Sequence, residues 1–222
     1  DSDIIRLQTS SPHQLVLDIE RARDIGELKE VFSRIQGLVL YLSDGGTGTR
    51  RIRDLVRMIA HLNDQILLRL ITLLCQERFA DLPQRFALVV LGSEGRGEQT
   101  LLTDQDNAIV YGDELDAMDI SRIEDFAQQL IDSLAAIGIP PCAGGIMANN
   151  KEWRRSLAKW RDQLDRWLQA PTPKHVLSCG TFVDIRTIYG DPSFEQELKN
   201  QVYSHVQRDK LFLMRMVENT LR

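Results

Sequence analysis

The chain has 222 residues, 27 Lys and Arg against 32 Asp and Glu, a formal charge of −5, and 43% hydrophobic residues. That length buries a sizeable core, as one domain with a helical appendage or as two small domains, and the acidic balance disfavours a broad nucleic-acid surface. Three cysteines, Cys75, Cys142 and Cys179, include no CxxC pair, so neither a disulfide framework nor a thiolate zinc site is suggested, which fits a cytoplasmic setting.

The chain starts at Asp1 without a basic-then-apolar leader, and no uninterrupted apolar run approaches a membrane span, so it reads as an excised, non-membrane fragment of a longer protein. From Pro12 to about Leu42 the apolar residues Leu15, Ile19, Ala22, Ile25, Leu28, Phe32, Ile35 and Val39 recur at three- and four-residue steps. That spacing is one face of a helix. Asp24 with Glu27 has the form of a capping box, which predicts a joint between two helices near Gly26. Turn formers from Ser43 to Thr49 interrupt the pattern, and Ile52, Leu55, Ile59, Leu62, Ile66, Leu70 and Leu74 resume it. A packed helical hairpin explains this region without invoking a binding device.

After Pro83 the period changes. Phe86 to Leu91 is a continuous apolar run of strand length, as expected of a strand buried on both faces, and it ends at Gly92. Asp106 to Tyr111 reads as a second strand, and Ile120 to Ile137 as a helix closed by Gly138. Residues 140–145 form a loop, and Asn149 with Glu152 looks like the start of a helix carrying Trp153, Leu157, Trp160, Leu164 and Trp167. Such an aromatic stripe is core rather than a stacking platform, because a helix needs apolar mass to dock. Pro171 and Pro173 end it, a third strand is expected from Val176 to about Ile188, and Asp191-Pro192 opens a last helix with Phe194, Leu198, Val202 and Val206 inward.

Chemistry concentrates between Leu91 and Asp106. A buried strand running into Gly92-Ser93 lets bare backbone approach a phosphate, and a Ser hydroxyl with the amides of a following turn can donate to its oxygens. Asp104-Gln105-Asp106 stands at the mouth of the next strand, where a period of two puts both carboxylates on one face. Carboxylates so placed can share cations such as Mg²⁺ with substrate phosphate, although acidic residues at a strand start also serve as turn residues or caps. Asp184, inside Thr181-Phe182-Val183-Asp184-Ile185-Arg186, is the candidate third carboxylate, its alternative being a surface pair with Arg186. Arg96 can meet triphosphate oxygens or pair with Glu94 or Glu98. Lys151, Arg154 and Arg155 read as a solvated basic cluster, and the scattered histidines receive no role.

The string from Gly92 to Ala108, together with Pro141-Cys142-Ala143-Gly144-Gly145-Ile146-Met147-Ala148-Asn149-Asn150, Trp153-Arg154 and Phe182 to Arg186, resembles a bacterial nucleotidyltransferase family. Its members are found behind CBS-domain pairs and sometimes cyclic-nucleotide-binding domains. The family is similar to the catalytic domains of PII-protein uridylyltransferase and glutamine synthetase adenylyltransferase, in the DNA polymerase beta superfamily. The resemblance implies an α+β fold, a polymerase-beta-like sheet flanked by helices. It further implies Gly92 and Ser93 at the nucleotide, to which the reading of the residues adds Arg96, and Asp104, Asp106 and Asp184 as catalytic, metal-binding carboxylates. Expected boundaries are a helical region at 1–80, a nucleotidyltransferase domain at 81–191 and a C-terminal helix at 192–222. The reaction expected is transfer of a nucleoside monophosphate from an NTP, with Mg²⁺ or Mn²⁺, to a hydroxyl on a protein, releasing pyrophosphate. The rival readings are a nucleotide-sensing module without turnover and a helical interaction scaffold.

Overall fold

The computed structural model describes residues 11–44, 49–99, 105–170, 172–208 and 214. Contacts divide the chain into two compact units. One comprises Asp1–Leu82, Gly97–Gln105 and Arg122–Gly145, and the other Pro83–Arg96, Asp106–Ser121 and Ile146–Arg222.

The first unit is helical. Ser11 caps α1 (Pro12–Arg21) by accepting from the Gln14 amide at 3.2 Å, and Pro12 opens the helix where no amide partner is needed. A second helix, α2 (Ile25–Asp44), begins at the expected joint. Asp24 accepts from the Glu27 amide at 2.8 Å while the Glu27 carboxylate reaches back to the Arg23 amide at 2.7 Å. The third, α3 (Thr49–Glu77), packs on both, and its Arg69 donates to the last carbonyl of the α1 turn, Ala22 O, at 2.6 and 2.8 Å. Leu15, Ile19, Leu28, Ile35, Leu62, Ile66 and Leu70 are the buried face of these helices. Among the described residues, one helical stretch, Ile52–Glu77, is long and apolar enough to cross a membrane, but Leu62, Ile66, Leu70 and Ile71 within it are wholly enclosed by the unit. A long helix, α5 (Ala117–Ile137), contributes residues from Arg122 onward, with Phe126 edge-on to Phe79 at 5.5 Å. Between them in sequence lie strands and the short helix α4 (Gly92–Gly95).

The second unit is built on a four-stranded mixed sheet of order β3-β2-β1-β4. The central strand, β1 (Phe86–Val90), runs antiparallel to β2 (Asn107–Tyr111) and to β4 (Arg186–Gly190), and β3 (Arg154–Ser156) lies parallel to β2. Every residue of β1 and β2 is buried, which accounts for the apolar runs Phe86–Val90 and Ala108–Tyr111. One face of the sheet, through Ala87, Val89, Ala108 and Val110, packs on α6 (Leu157–Gln169), α7 (Pro173–Val183) and α8 (Ser193–Arg208). Trp153, Trp160, Trp167 and Phe182 fill that layer, with Trp160 and Phe182 rings 4.7 Å apart. The tryptophan stripe is therefore core, and the whole is the α+β arrangement expected.

Three expectations are corrected. The helix expected from Asn149 starts at Leu157, capped by Ser156, because Arg154–Ser156 pairs with Ile109–Tyr111 as a strand. The stripe runs through this boundary, since Trp153 reaches Trp160 and Trp167 from a turn rather than from a helix. The strand expected from Val176 to Ile188 is half helix. Thr172 accepts from the His175 amide at 3.2 Å and Pro173 supplies the first turn, so Val176, Cys179 and Phe182 line one helical face before β4 begins at Arg186. Arg154 is not solvated. It is buried, donating to Ala148 O at 2.8 Å.

Candidate active site

The sheet brings the candidate residues of the second unit to one end. Val90, the last residue of β1, pairs with Asn107 on one side and Arg186 on the other. Asp106, one residue before Asn107, and Asp184, two residues before Arg186, therefore flank the point where β1 runs out. There the chain turns through α4 (Gly92–Gly95), a single helical turn. Leu91 N–H donates to Asp106 O at 2.9 Å, Gly95 N–H to Leu91 O at 2.9 Å and Arg96 N–H to Gly92 O at 3.1 Å. Ser93 is exposed on this turn, and Glu94 is buried.

Two glycines explain why the turn fits. Gly92 holds φ +52, a conformation costly for other residues, and a Cβ there would lie 3.3 Å from Asp106 Oδ2 and 3.6 Å from Thr181 Cγ2. A Cβ on Gly95 would lie 1.9 Å from the Asp184 carbonyl oxygen, so α4 and the Asp184 backbone touch in a way that admits no side chain. Gly92 thus leaves room beside the Asp106 carboxylate, and Gly95 draws the Asp184 segment against the turn.

Asp184 is the C-cap of α7 rather than a strand residue. Its carboxylate pairs with the Arg96 guanidinium, which ties this segment to the glycine-rich turn. Arg186 reaches α4, donating from Nε to Gly95 O at 3.2 Å and from Nη2 to Glu94 O at 3.0 Å. Sequence reasoning saw Arg186 only as a same-face neighbour of Asp184. The length of an arginine side chain beside a turn rich in carbonyls was the signal available. On the other flank, Asn107 accepts the Ala148 amide at 2.8 Å and donates its own amide to Ile146 O at 3.1 Å, which docks the glycine-rich loop of residues 144–150 beside β2.

Of the six residues singled out, Gly92, Ser93, Arg96, Asp106 and Asp184 therefore gather at one end of the sheet, and Asp104 lies outside the described residues. Among the described residues no three His, Cys, Asp or Glu side chains cluster as a metal site. Asp106 and Asp184 are the hard oxygen donors that a divalent cation takes, and the missing side chain at Gly92 leaves space beside the first of them. The arrangement can present the Gly92–Gly95 turn with its Ser93 hydroxyl to a phosphate while holding carboxylates to either side.

No curated protein matches the chain. A family match covers residues 34–174, which includes the turn, Asp106 and the loop of residues 144–150, and ends before Asp184. The chain belongs to the family described as Putative nucleotidyltransferase DUF294.

Proposed function

We propose that this chain moves a nucleoside monophosphate from an NTP to a hydroxyl on a protein, in a manner akin to uridylyl- or adenylyltransferases. Family membership supports nucleotidyl transfer with an NTP as donor. The observation that carries the finer reading is the placing of Asp106 and Asp184 on either side of the Gly92–Gly95 turn, with Gly92 packed beside the Asp106 carboxylate.

Nucleotidyl transfer needs the phosphates held in line and the charge on the α-phosphate neutralised. In this reading the turn amides, the Ser93 hydroxyl and Arg96 hold the triphosphate. Asp106 and Asp184, joined by Asp104 from two positions upstream, would hold Mg²⁺ or Mn²⁺, whose chemistry there is charge neutralisation on the reacting phosphate and the departing pyrophosphate. The acceptor oxygen bonds to the α-phosphorus as the bond to the pyrophosphate oxygen breaks, and Asp184 takes the hydroxyl proton. The acidic composition favours a protein over a polynucleotide acceptor. A cytoplasmic, non-membrane setting in a bacterium and upstream CBS or cyclic-nucleotide-binding domains belong to the same reading and rest on the motif resemblance.

The test is to incubate the chain with each labelled NTP, Mg²⁺ or Mn²⁺ and lysate of its source, and to follow labelled protein and pyrophosphate. Asp106→Asn is expected to abolish transfer. Labelling that proceeds at the wild-type rate in that variant would show the carboxylate assignment to be wrong.

A further inference from the structure

A four-residue helix cannot hold itself, because forming the first turn fixes several residues for a single hydrogen bond. The conformation of α4 must be imposed from outside, and its terminal carbonyls need donors that the helix cannot supply. Arg186 meets that need from the first position of β4. Its Nη2 donates to Glu94 O at 3.0 Å and its Nε to Gly95 O at 3.2 Å, placing a positive charge at the carbonyl end of the turn, where the peptide dipoles favour one. The same segment carries Asp184, whose backbone carbonyl abuts Gly95 and whose carboxylate pairs with Arg96. The turn and the segment of residues 184–186 thus clasp each other: each supplies an arginine to acceptors of the other.

We propose that Arg186 is a positioning residue for nucleotidyl transfer. It fixes the carbonyl end of the Gly92–Gly95 turn to β4, so that the turn amides and Ser93 stay aimed at the triphosphate and in register with Asp184. This rests on the transferase reading above. Arg186 acts on the turn and touches no reacting atom. A lysine in its place keeps the charge but offers one point of contact where the guanidinium offers two in fixed geometry.

The experiment compares wild type, Arg186→Lys and Arg186→Met in the full chain, with far-ultraviolet dichroism and tryptophan fluorescence to confirm folding. Two quantities are read: amide hydrogen exchange at Gly95 and Arg96 without nucleotide, and affinity for a non-hydrolysable fluorescent ATP analogue with Mg²⁺. In Arg186→Met, exchange is expected to accelerate and affinity to fall by about tenfold each, the scale of a lost charge-assisted hydrogen bond, with Arg186→Lys between. Unchanged exchange in a folded Arg186→Met overturns the clasp, and faster exchange with unchanged affinity overturns its role in positioning. Wild-type protein that binds neither this analogue nor those of the other nucleotides removes the transferase reading, and the positioning role with it, an outcome visible without any variant. Should Arg186→Met fail to fold, Arg186→Lys alone decides: wild-type exchange and affinity in it overturn the proposal.

Discussion

Arg96, the residue that closes the glycine-rich turn, donates its guanidinium to the Asp184 carboxylate. The pair spans 88 positions of sequence and ties the glycine-rich turn to a candidate catalytic carboxylate. Their side chains are 46% and 23% exposed, so solvent screens the pair and its contribution to stability stays below about 1 kcal/mol. Its importance is therefore to the site. Arg96→Met and Asp184→Asn are each expected to keep a melting temperature within a few degrees of wild type. Each is also expected to lower nucleotide transfer by about a hundredfold or more, the scale of removing one preorganised charge. Thermal melts alongside label-transfer assays check this, and a large loss of stability with intact transfer would contradict it.

The glycines offer a contrast internal to the protein. Gly95→Ala puts a Cβ within 1.9 Å of a backbone oxygen, which no side-chain movement relieves, so either α4 or the Asp184 segment must shift. A loss of about 1–3 kcal/mol and of transfer activity is expected. Gly37, exposed on α2, has nothing within 4 Å of a would-be Cβ, and Gly37→Ala there is expected to stabilise by about 0.5–1 kcal/mol through helix propensity alone. Urea unfolding of the two variants decides, and shifts of the same sign would undo the distinction.

These contacts also show what the sequence could and could not convey. Long periodic elements were legible because a single physical rule wrote them: α1, α2, α3 and α5 repeat apolar residues at helical steps, and β1 and β2 are buried throughout. The turn at Gly92 was legible because a buried apolar strand running into glycine marks where the backbone takes a positive φ. β3 was not, since it is three residues long, contains Arg154 and Arg155, and exists only through its pairing with β2. The α7 helix reads as strand in the sequence because Val176, Phe182 and Val183 suit either state, and Pro173, which with Thr172 decides it, reads there only as the end of the helix before. Arg186 was underestimated because its acceptors are backbone carbonyls, which carry no mark in sequence.

Arg154 tests that lesson. Its guanidinium is buried and donates to Ala148 O at 2.8 Å, while the Ala148 amide donates to Asn107 Oδ1 at 2.8 Å, so one residue of the loop is held at both ends. Arg154→Met keeps the apolar stem but removes the donor from a buried carbonyl, at an expected cost of about 1–3 kcal/mol. Arg155→Met, whose guanidinium pairs with the exposed Glu152, is expected to cost under about 1 kcal/mol. Denaturant midpoints of the two variants measure the difference, and equal effects would mean that the bracket on Ala148 holds nothing.

Cys179 sits wholly buried in α7 against the tryptophan layer, and that burial pushes its thiol up to about 12. The folded protein then keeps the proton where the unfolded chain gives it up, from about pH 9. Because the folded value is the raised one, this contribution to stability is whole below pH 9 and is lost as pH rises toward 12, by at most about 1.4 kcal/mol per pH unit. At pH 8, iodoacetamide is expected to modify the part-exposed Cys75 and Cys142 in the native protein and to reach Cys179 only after denaturation. Cys179→Ala is expected to flatten the fall in urea midpoint between pH 9 and pH 10.5 relative to wild type. Labelling of native Cys179 as fast as Cys142, or an unaltered alkaline slope in the variant, would show that the thiol is not enclosed by this layer.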